Sequence, residues 1–101
     1  MPINVQVRAV QERQVLLIWE LPEDKGNSRI EKYEVAIFNA SLHQIRNVIN
    51  HCASEQYCVK ATISGLSPNF VYTFKVRIFN NILWSDYSNF TAKITTKYEG
   101  T

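Results

Sequence analysis

The feature that most constrains this chain is an alternation of apolar and other side chains in several short segments. Alternation with a period of two puts successive side chains on opposite faces of an extended strand, so that one face can enter a core. The apolar positions are Val5 and Val7; Val15, Leu17 and Trp19; Tyr33, Val35 and Ile37; and Tyr72, Phe74, Val76 and Ile78. This pattern predicts a protein built from β-strands.

Clusters of turn-forming residues separate these segments. They lie at residues 21–28, 39–41 and 64–69. Residues 42–53 are ambiguous, because they fit either a short strand over 44–49 or a helical turn. Six or seven short strands spaced about 8 to 12 residues apart predict an all-β sandwich.

Composition limits the class of protein further. The chain has 101 residues, of which 46% are hydrophobic, so we expect one domain over residues 1–101 with its core at about 2–97. Because no apolar stretch approaches the roughly 18 residues of a membrane helix, no membrane insertion by this domain is expected. The net charge is +2 with the two signs interspersed, which predicts no nucleic-acid partner. A monomer is expected.

The sequence does not contain the residue patterns that catalysis or metal binding requires. There is no G-x-S-x-G elbow around a serine and no glycine-rich phosphate loop. The histidines at 43 and 51 and the cysteines at 52 and 58 lack the paired spacing of zinc ligands. The sequence therefore predicts a non-catalytic domain without a metal or cofactor.

Two modifications are left open by the sequence. Cys52 and Cys58 could form a local disulfide if the chain turns between them, or remain two thiols at a strand edge. Asn39 and Asn89 begin glycosylation sequons, but two sequons are barely above the number expected by chance. These sites are compatible with secretion and do not demonstrate it.

Several anchors resemble the fibronectin type III family. They are Trp19-Glu20-Leu21-Pro22, Ile30-Glu31-Lys32-Tyr33-Glu34-Val35, Gly65-Leu66-Ser67-Pro68 and Tyr72-Thr73-Phe74-Lys75-Val76-Arg77. Together they extend over residues 2 to 96 in the order and spacing of that family. The resemblance implies a seven-stranded, immunoglobulin-like sandwich with sheets of three and four strands. The implied strands are about 3–10, 14–21, 30–38, 44–49, 58–64, 70–80 and 89–96.

These anchors also have structural roles that follow from their size and chemistry. Trp19 is large enough to bridge two sheets about 10 Å apart, and Tyr33 alternates into the same core. Tyr72 lies where a strand begins after a corner, so its hydroxyl can bond the backbone of that corner. Leu66 and Pro68 are expected to hold the corner in place.

A second resemblance lies near the C-terminus, in Trp84-Ser85-Asp86-Tyr87-Ser88. This stretch is similar to the W-S-x-W-S box of haematopoietic cytokine receptors, with tyrosine in place of the second tryptophan. That resemblance implies Trp84 stacked on Arg77 and Lys75. Ordinary type III modules also carry spaced serines here, and the four-cysteine companion domain of cytokine receptors does not occur in this chain. Both interpretations predict a structural role for Trp84.

The most exposed apolar residues are expected at Ile82 and Leu83, in the loop 80–84. Apolar loop tips are typical of contact hot spots, although Leu83 could instead fold back over the sandwich. The charged loop 22–29, through Asp24, Lys25 and Arg29, is predicted to lie at the same end.

The outer sheet face is the third predicted contact region. Alternation directs Arg77 and Phe79, with Phe38 and Lys75, away from the core, although the neighbouring strand could cover the two phenylalanines. We therefore predict a protein-interaction module of a larger protein. A structural spacer in a receptor or adhesion ectodomain and an intracellular or nuclear scaffold domain are the alternatives, and a cell-surface setting is slightly favoured.

Overall fold

The described part of the chain is made of strands. A computed structural model describes residues 2–21, 30–52, 59–80 and 82–100. Within these ranges the strands are β1 (Ile3–Arg8), β2 (Val15–Glu20), β3 (Lys32–Phe38), β4 (Gln44–His51), β5 (Lys60–Ile63), β6 (Val71–Phe79) and β7 (Ile94–Thr95). No helix that could cross a membrane occurs among these residues.

The strands form two antiparallel sheets. One has the order β1-β2-β5 and the other the order β4-β3-β6-β7, which confirms the predicted all-β sandwich of three and four strands. The ambiguous segment after residue 42 is the strand β4, paired with β3 from Gln44 to His51. The last strand is shorter than the predicted 89–96, because residues 85–91 bond to β6 in a different way, described below.

The core lies between the sheets and receives the predicted inward faces of both. Leu17 from β2 and Val35, Ile37, Phe74 and Val76 from β3 and β6 are fully buried. Trp19 joins the two layers, since its ring meets that of Tyr33 edge to face with centroids 5.7 Å apart. Edge-to-face packing of this kind stabilises the fold beyond the contribution of the buried apolar area.

A tyrosine corner fixes the connection between β5 and β6. The Tyr72 hydroxyl accepts a hydrogen bond from the Ser67 backbone N–H at 2.8 Å, and the buried Leu66 donates its N–H to the Arg13 carbonyl at 3.0 Å. Gly65 has a φ of +71°, and a Cβ there would lie 3.2 Å from an Arg46 guanidinium nitrogen. Glycine is therefore the residue that this corner favours.

Candidate interaction surface

Residues 84–91, here called the clasp, run beside β6 and are bonded to it through hydroxyl residues. At each such residue the backbone N–H donates to a β6 carbonyl, and the side-chain oxygen accepts from the N–H of the same β6 residue. The pairs are Ser85 with Ile78 (2.8 and 3.1 Å), Ser88 with Val76 (2.8 and 3.0 Å) and Thr91 with Phe74 (2.9 and 3.1 Å). Hydroxyl oxygens thus occupy the acceptor positions that strand carbonyls fill in a sheet.

The clasp advances three residues for every two residues of β6. A normal antiparallel ladder advances one for one, which is why the clasp is not a strand. The sequence repeats with the same period, as an aromatic residue, a hydroxyl residue and a third residue: Trp84-Ser85-Asp86, Tyr87-Ser88-Asn89 and Phe90-Thr91-Ala92. The stretch Trp84-Ser85-Asp86-Tyr87-Ser88 was singled out from the sequence as a box, not as a repeat, and Phe90-Thr91 was assigned to the predicted final strand 89–96.

The aromatic residues of the clasp lie against cations of the outer sheet face. The Arg77 guanidinium carbon is 4.5 Å from the ring centroid of Trp84 and 4.7 Å from that of Tyr87, so Arg77 lies within stacking distance of both rings. Contacts of this length are favourable electrostatically. The stacking of Trp84 on Arg77 is as the sequence predicts.

The second cation near Trp84 is Lys32, where the sequence predicts Lys75. The Lys32 Nζ is 5.6 Å from the Trp84 ring centroid and 4.9 Å from that of Phe79. Strand register explains the difference, because Lys32 is paired with Phe79 and Phe79 is bridged to Trp84. Lys75 lies further along β6.

Lys75 contacts the third aromatic repeat. Its Nζ is 4.2 Å from the ring centroid of Phe90 and 5.9 Å from that of Phe38. The two phenylalanine rings also meet edge to face, with centroids 5.1 Å apart. Phe38 is therefore half-covered from the side of the clasp, and the third repeat reproduces the ring-and-cation contact of the first two.

Glu34 is a buried carboxylate beneath the clasp. It is only 4% exposed, although it alternates onto the outer face of β3, where it pairs with Arg77. Its oxygens accept hydrogen bonds from Arg77 Nε at 2.6 Å, Asn47 Nδ2 at 2.6 Å and the Tyr87 hydroxyl at 3.1 Å. Glu34 thus connects β3, β4, β6 and the clasp.

The surroundings of Glu34 keep it ionised. Burial alone would raise its pKa, but hydrogen bonds from Asn47 and Arg77, the charge of Arg77 and the Tyr87 hydrogen bond outweigh burial and lower the pKa. Burial raises the pKa of Tyr87, and the charge of Glu34 raises it further. The arrangement therefore holds an ionised carboxylate, a cation and a neutral phenol together.

Ile82 and Leu83, here called the tip, precede the clasp and project into solvent. Ile82 is 78% exposed and Leu83 is 64% exposed, so Leu83 does not fold back over the sandwich. Asn80 organises the backbone of the tip: its Oδ1 accepts from the N–H groups of Ile82 and Leu83, both at 3.1 Å. Asn80 therefore restrains the backbone of two residues whose large apolar side chains are exposed.

The other predicted partner-binding residues differ in accessibility. Phe79 is half-buried and packs on Trp84 with ring centroids 5.2 Å apart, and the Arg77 side chain, 29% exposed, is ion-paired with Glu34 at 2.5 Å. Asp24, Lys25 and Arg29, together with the rest of the loop 22–29, lie outside the described residues.

Three of the four predicted modification sites, Cys52, Asn39 and Asn89, lie among the described residues. Cys52 is a disulfide cysteine, whereas Cys58 lies outside the described residues, so their pairing stays a prediction. Asn39 is half-buried, and its Oδ1 accepts from the Ser41 and His43 N–H groups, each at 3.0 Å. Asn89 is exposed on the clasp. The described part of the chain contains no group of three or more metal-binding side chains.

The sandwich, its tyrosine corner and the clasp together define an immunoglobulin-like β module. The chain belongs to the fibronectin type III family, whose model matches residues 1–93. It is similar to solved structures that include domains A168–A170 of titin, with 25% identity, a TM-score of 0.77, and coverage of 95% of this chain and 31% of that one. For the third fibronectin III domain of human KIAA0343 protein, the identity is 17%, the TM-score 0.76 and the coverage 100% and 87%.

Two curated proteins contain similar segments. The leukemia inhibitory factor receptor of Canis lupus familiaris is 28% identical over 100 residues, which are 95% of this chain and 9% of that protein. Roundabout homolog 2 of Homo sapiens is 31% identical over 97 residues, which are 95% of this chain and 7% of that protein. The chain therefore spans less than a tenth of either relative.

Proposed function

We propose that this domain is a non-catalytic protein-interaction module of a larger cell-surface or extracellular protein, and that it binds a protein partner through the tip. The exposure of Ile82 and Leu83, 78% and 64%, is the observation that carries the proposal. Two adjacent large apolar side chains in water are unfavourable unless a partner covers them, and such residues are typical of contact hot spots.

The clasp supports this proposal because it gives the tip a fixed base. Ser85 follows the tip directly, and its N–H donates to the Ile78 carbonyl at 2.8 Å. A binding residue held in place before contact loses less conformational entropy when it binds. Arg77 and Phe79 are expected to support binding in two ways, by holding the clasp in place and by contacting the partner. The loop 22–29 remains the predicted second half of the binding surface.

The proposed setting rests on the relatives and on the disulfide. One relative is named as a receptor, and Cys52 is a disulfide cysteine, a state that persists in oxidising compartments. We propose that Cys58 is its partner and that the sequons at Asn39 and Asn89 are glycan sites. Mass spectrometry of the native protein would show the Cys52–Cys58 cross-link and the glycans, and free thiols with unmodified sequons would favour the intracellular scaffold.

Photo-crosslinking and affinity measurement test the role of the tip. A photo-reactive leucine analogue at residue 83 is expected to crosslink a cell-surface protein that the same analogue at Leu42, an exposed residue of the β3–β4 turn, does not capture. The Ile82→Ser/Leu83→Ser variant should then bind the purified partner at least about tenfold more weakly. Leu42→Ser/Ile45→Ser, which also removes two exposed apolar side chains, should leave binding unchanged.

A spacer is the second candidate function, and the path of the chain favours it. Ile3 pairs with Glu20 at the end of β2, whereas Lys97 bonds Gln11 beyond the start of β2. The chain therefore enters and leaves the sandwich at opposite ends, as domains in a linear array do. If neither double variant changes any interaction of the parent protein, the spacer function is favoured over the binding module.

A further inference from the structure

We propose that this chain forms a homodimer through the free edge of β4. In the dimer, β4 of one copy pairs antiparallel with β4 of the second copy across a two-fold axis at Ile49, so that the two four-stranded sheets join. This contact replaces the monomer expected from the sequence. It does not involve the tip, so it goes beyond the proposed function.

The free edge of β4 presents backbone groups that a further strand could bond. β4 is the terminal strand of its sheet, and β3 is its neighbour there. Cys52 donates its N–H to the Glu31 carbonyl at 2.8 Å. Because residues that bond a neighbouring strand alternate with residues that do not, every second residue back from Cys52 bonds β3. The residues between them direct their N–H and C=O groups to the free edge: Asn47, Ile49 and His51. No second strand lies beside this edge among the residues that the structure describes.

β4 lacks the features that usually keep a free edge from pairing. Such edges are commonly short, or contain lysine, proline or a bulge, whereas β4 has eight residues and neither lysine nor proline. Its bulge lies near the start, where the register shifts between the partners of Ile37 and Phe38. From Arg46 to His51 the register with β3 is uninterrupted. Residues 46–51 therefore form a regular edge that another strand can extend.

The side chains of this regular edge suit a second copy of the same strand. Ile49 is 49% exposed, and an axis at this residue puts it opposite Ile49 of the second copy, with Cα atoms about 5.5 Å apart. Asn47 of each copy then lies opposite His51 of the other, so all three edge residues pair. The contact removes from water a large apolar side chain that a monomer leaves half-exposed.

The charge of β4 is compatible with this register. Arg46 is the one residue of β4 that is formally charged at pH 7, and in the dimer it lies opposite Cys52 of the second copy. The Arg46 positions of the two copies are then about 20 Å apart at about 3.3 Å per residue, which exceeds the Debye length of about 8 Å at physiological salt. An axis at Arg46 would instead put two cations opposite each other. The pairing at Ile49 thus avoids repulsion between like charges.

Sedimentation equilibrium of the 101-residue chain tests the pairing. One strand on each side buries less than about 1,200 Å², so we expect a reversible dimer with a dissociation constant on the order of 0.1 mM. Ile49→Lys should weaken association at least about tenfold, because it puts two ammonium groups opposite each other at the axis. The matched control is Ile45→Lys. Ile45 is also 49% exposed but lies outside the paired residues 47–51, so this variant should weaken association less than about twofold.

Opposite charges at residue 49 test the two-fold axis itself. Ile49→Glu alone should also weaken association at least about tenfold, since two carboxylates then face each other. An equimolar mixture of Ile49→Lys and Ile49→Glu should recover association, because each charge meets its opposite across the axis. Only a contact in which residue 49 lies opposite residue 49 of the second copy gives this recovery.

Amide hydrogen exchange of the unchanged chain gives a second measurement that needs no variant. The N–H groups at the free edge, those of Asn47, Ile49 and His51, should exchange a few-fold more slowly at ten times the dissociation constant than at high dilution. The N–H groups of Val48 and Asn50 already bond β3 and should change little.

Four outcomes would overturn the proposal. They are a monomer at every concentration up to about 1 mM, an equal loss in Ile49→Lys and Ile45→Lys, no recovery in the mixture of folded variants, and edge amides that do not respond to concentration. A thermal melt shows whether each variant is folded, and the exchange measurement decides the matter if Ile49→Lys is not. Ile82→Ser/Leu83→Ser should associate like the unchanged chain, and a loss of association in that variant would assign the contact to the tip.

Discussion

The clasp and the tip adjoin in sequence and differ in how their side chains contact the rest of the domain. In the clasp, the hydroxyls of Ser85, Ser88 and Thr91 bond β6, and the aromatic rings lie against cations of the sheet. In the tip, Ile82 and Leu83 are largely exposed. We infer two roles from this difference: the clasp stabilises the domain, and the tip is the proposed site of partner binding.

Glu34→Ala should have the largest effect on the clasp. Without Glu34, Arg77, Asn47 and Tyr87 lose their common acceptor, and Arg77 remains half-buried without its counter-ion. We expect the free energy of unfolding in urea to fall by about 2–4 kcal/mol. Asp86→Ala, which removes an exposed carboxylate from the same segment, should cost less than about 0.5 kcal/mol. A similar small loss for Glu34→Ala would contradict the account.

Ser88→Ala should have the next largest effect. The Ser88 Oγ is buried and accepts the Val76 N–H at 3.0 Å, so alanine would leave a buried donor unpaired. We expect a loss of about 1–2 kcal/mol in the free energy of unfolding. Asn89→Ala changes the next residue, which is exposed, and should be nearly neutral. Equal effects of the two variants would show that the hydroxyl contacts do not stabilise the domain.

Acidification should weaken the clasp through Glu34. Its folded-state pKa is lowered, so its contribution to stability is present above the ordinary glutamate pKa of about 4.3 and is lost as the pH falls through the lowered value. Urea unfolding at a series of pH values below about 5 should therefore show falling stability. Glu34→Gln should make the free energy of unfolding depend less on pH. An unchanged pH dependence in that variant would mean that other carboxylates cause the loss of stability in acid.

The tip variants should have the smallest effect on stability. Because Ile82 and Leu83 already contact water, Ile82→Ser and Leu83→Ser should each change the free energy of unfolding by less than about 0.5 kcal/mol. Urea denaturation of these variants and of Ser88→Ala under the same conditions compares their free energies of unfolding directly. A loss of more than about 1 kcal/mol in either tip variant would mean that the side chain packs against the domain.

The sequence predicted the core because its signals are local. Alternation alone identifies the inward faces that contain Leu17, Val35 and Phe74, and the anchors around Trp19 and Tyr72 place the strands in order. The final strand was only partly predicted, since the Phe90-Thr91 repeat resembles strand alternation. Phe90-Thr91 follows Tyr87-Ser88 by three residues, just as Tyr87-Ser88 follows Trp84-Ser85. This spacing was the signal that could have assigned residues 90–91 to the clasp.

The site around Glu34 could not be predicted in the same way. Alternation places Glu34 on the outer face, where a carboxylate is ordinarily solvated. Its burial depends on the register that puts it opposite Arg77, on Asn47 from β4, and on Tyr87 crossing from the clasp. The exchange of Lys32 for Lys75 beside Trp84 has the same origin, because strand pairing is a long-range property.

Amide hydrogen exchange in the native state tests the division between clasp and tip most directly. The N–H groups of Phe74, Val76 and Ile78, whose acceptors are hydroxyl oxygens of the clasp, should be protected as strongly as those bonded between β3 and β6. The Ile82 and Leu83 amides should exchange at least about a hundredfold faster. Fast exchange at Phe74, Val76 and Ile78 would contradict the account, because it would show that the clasp does not hold β6.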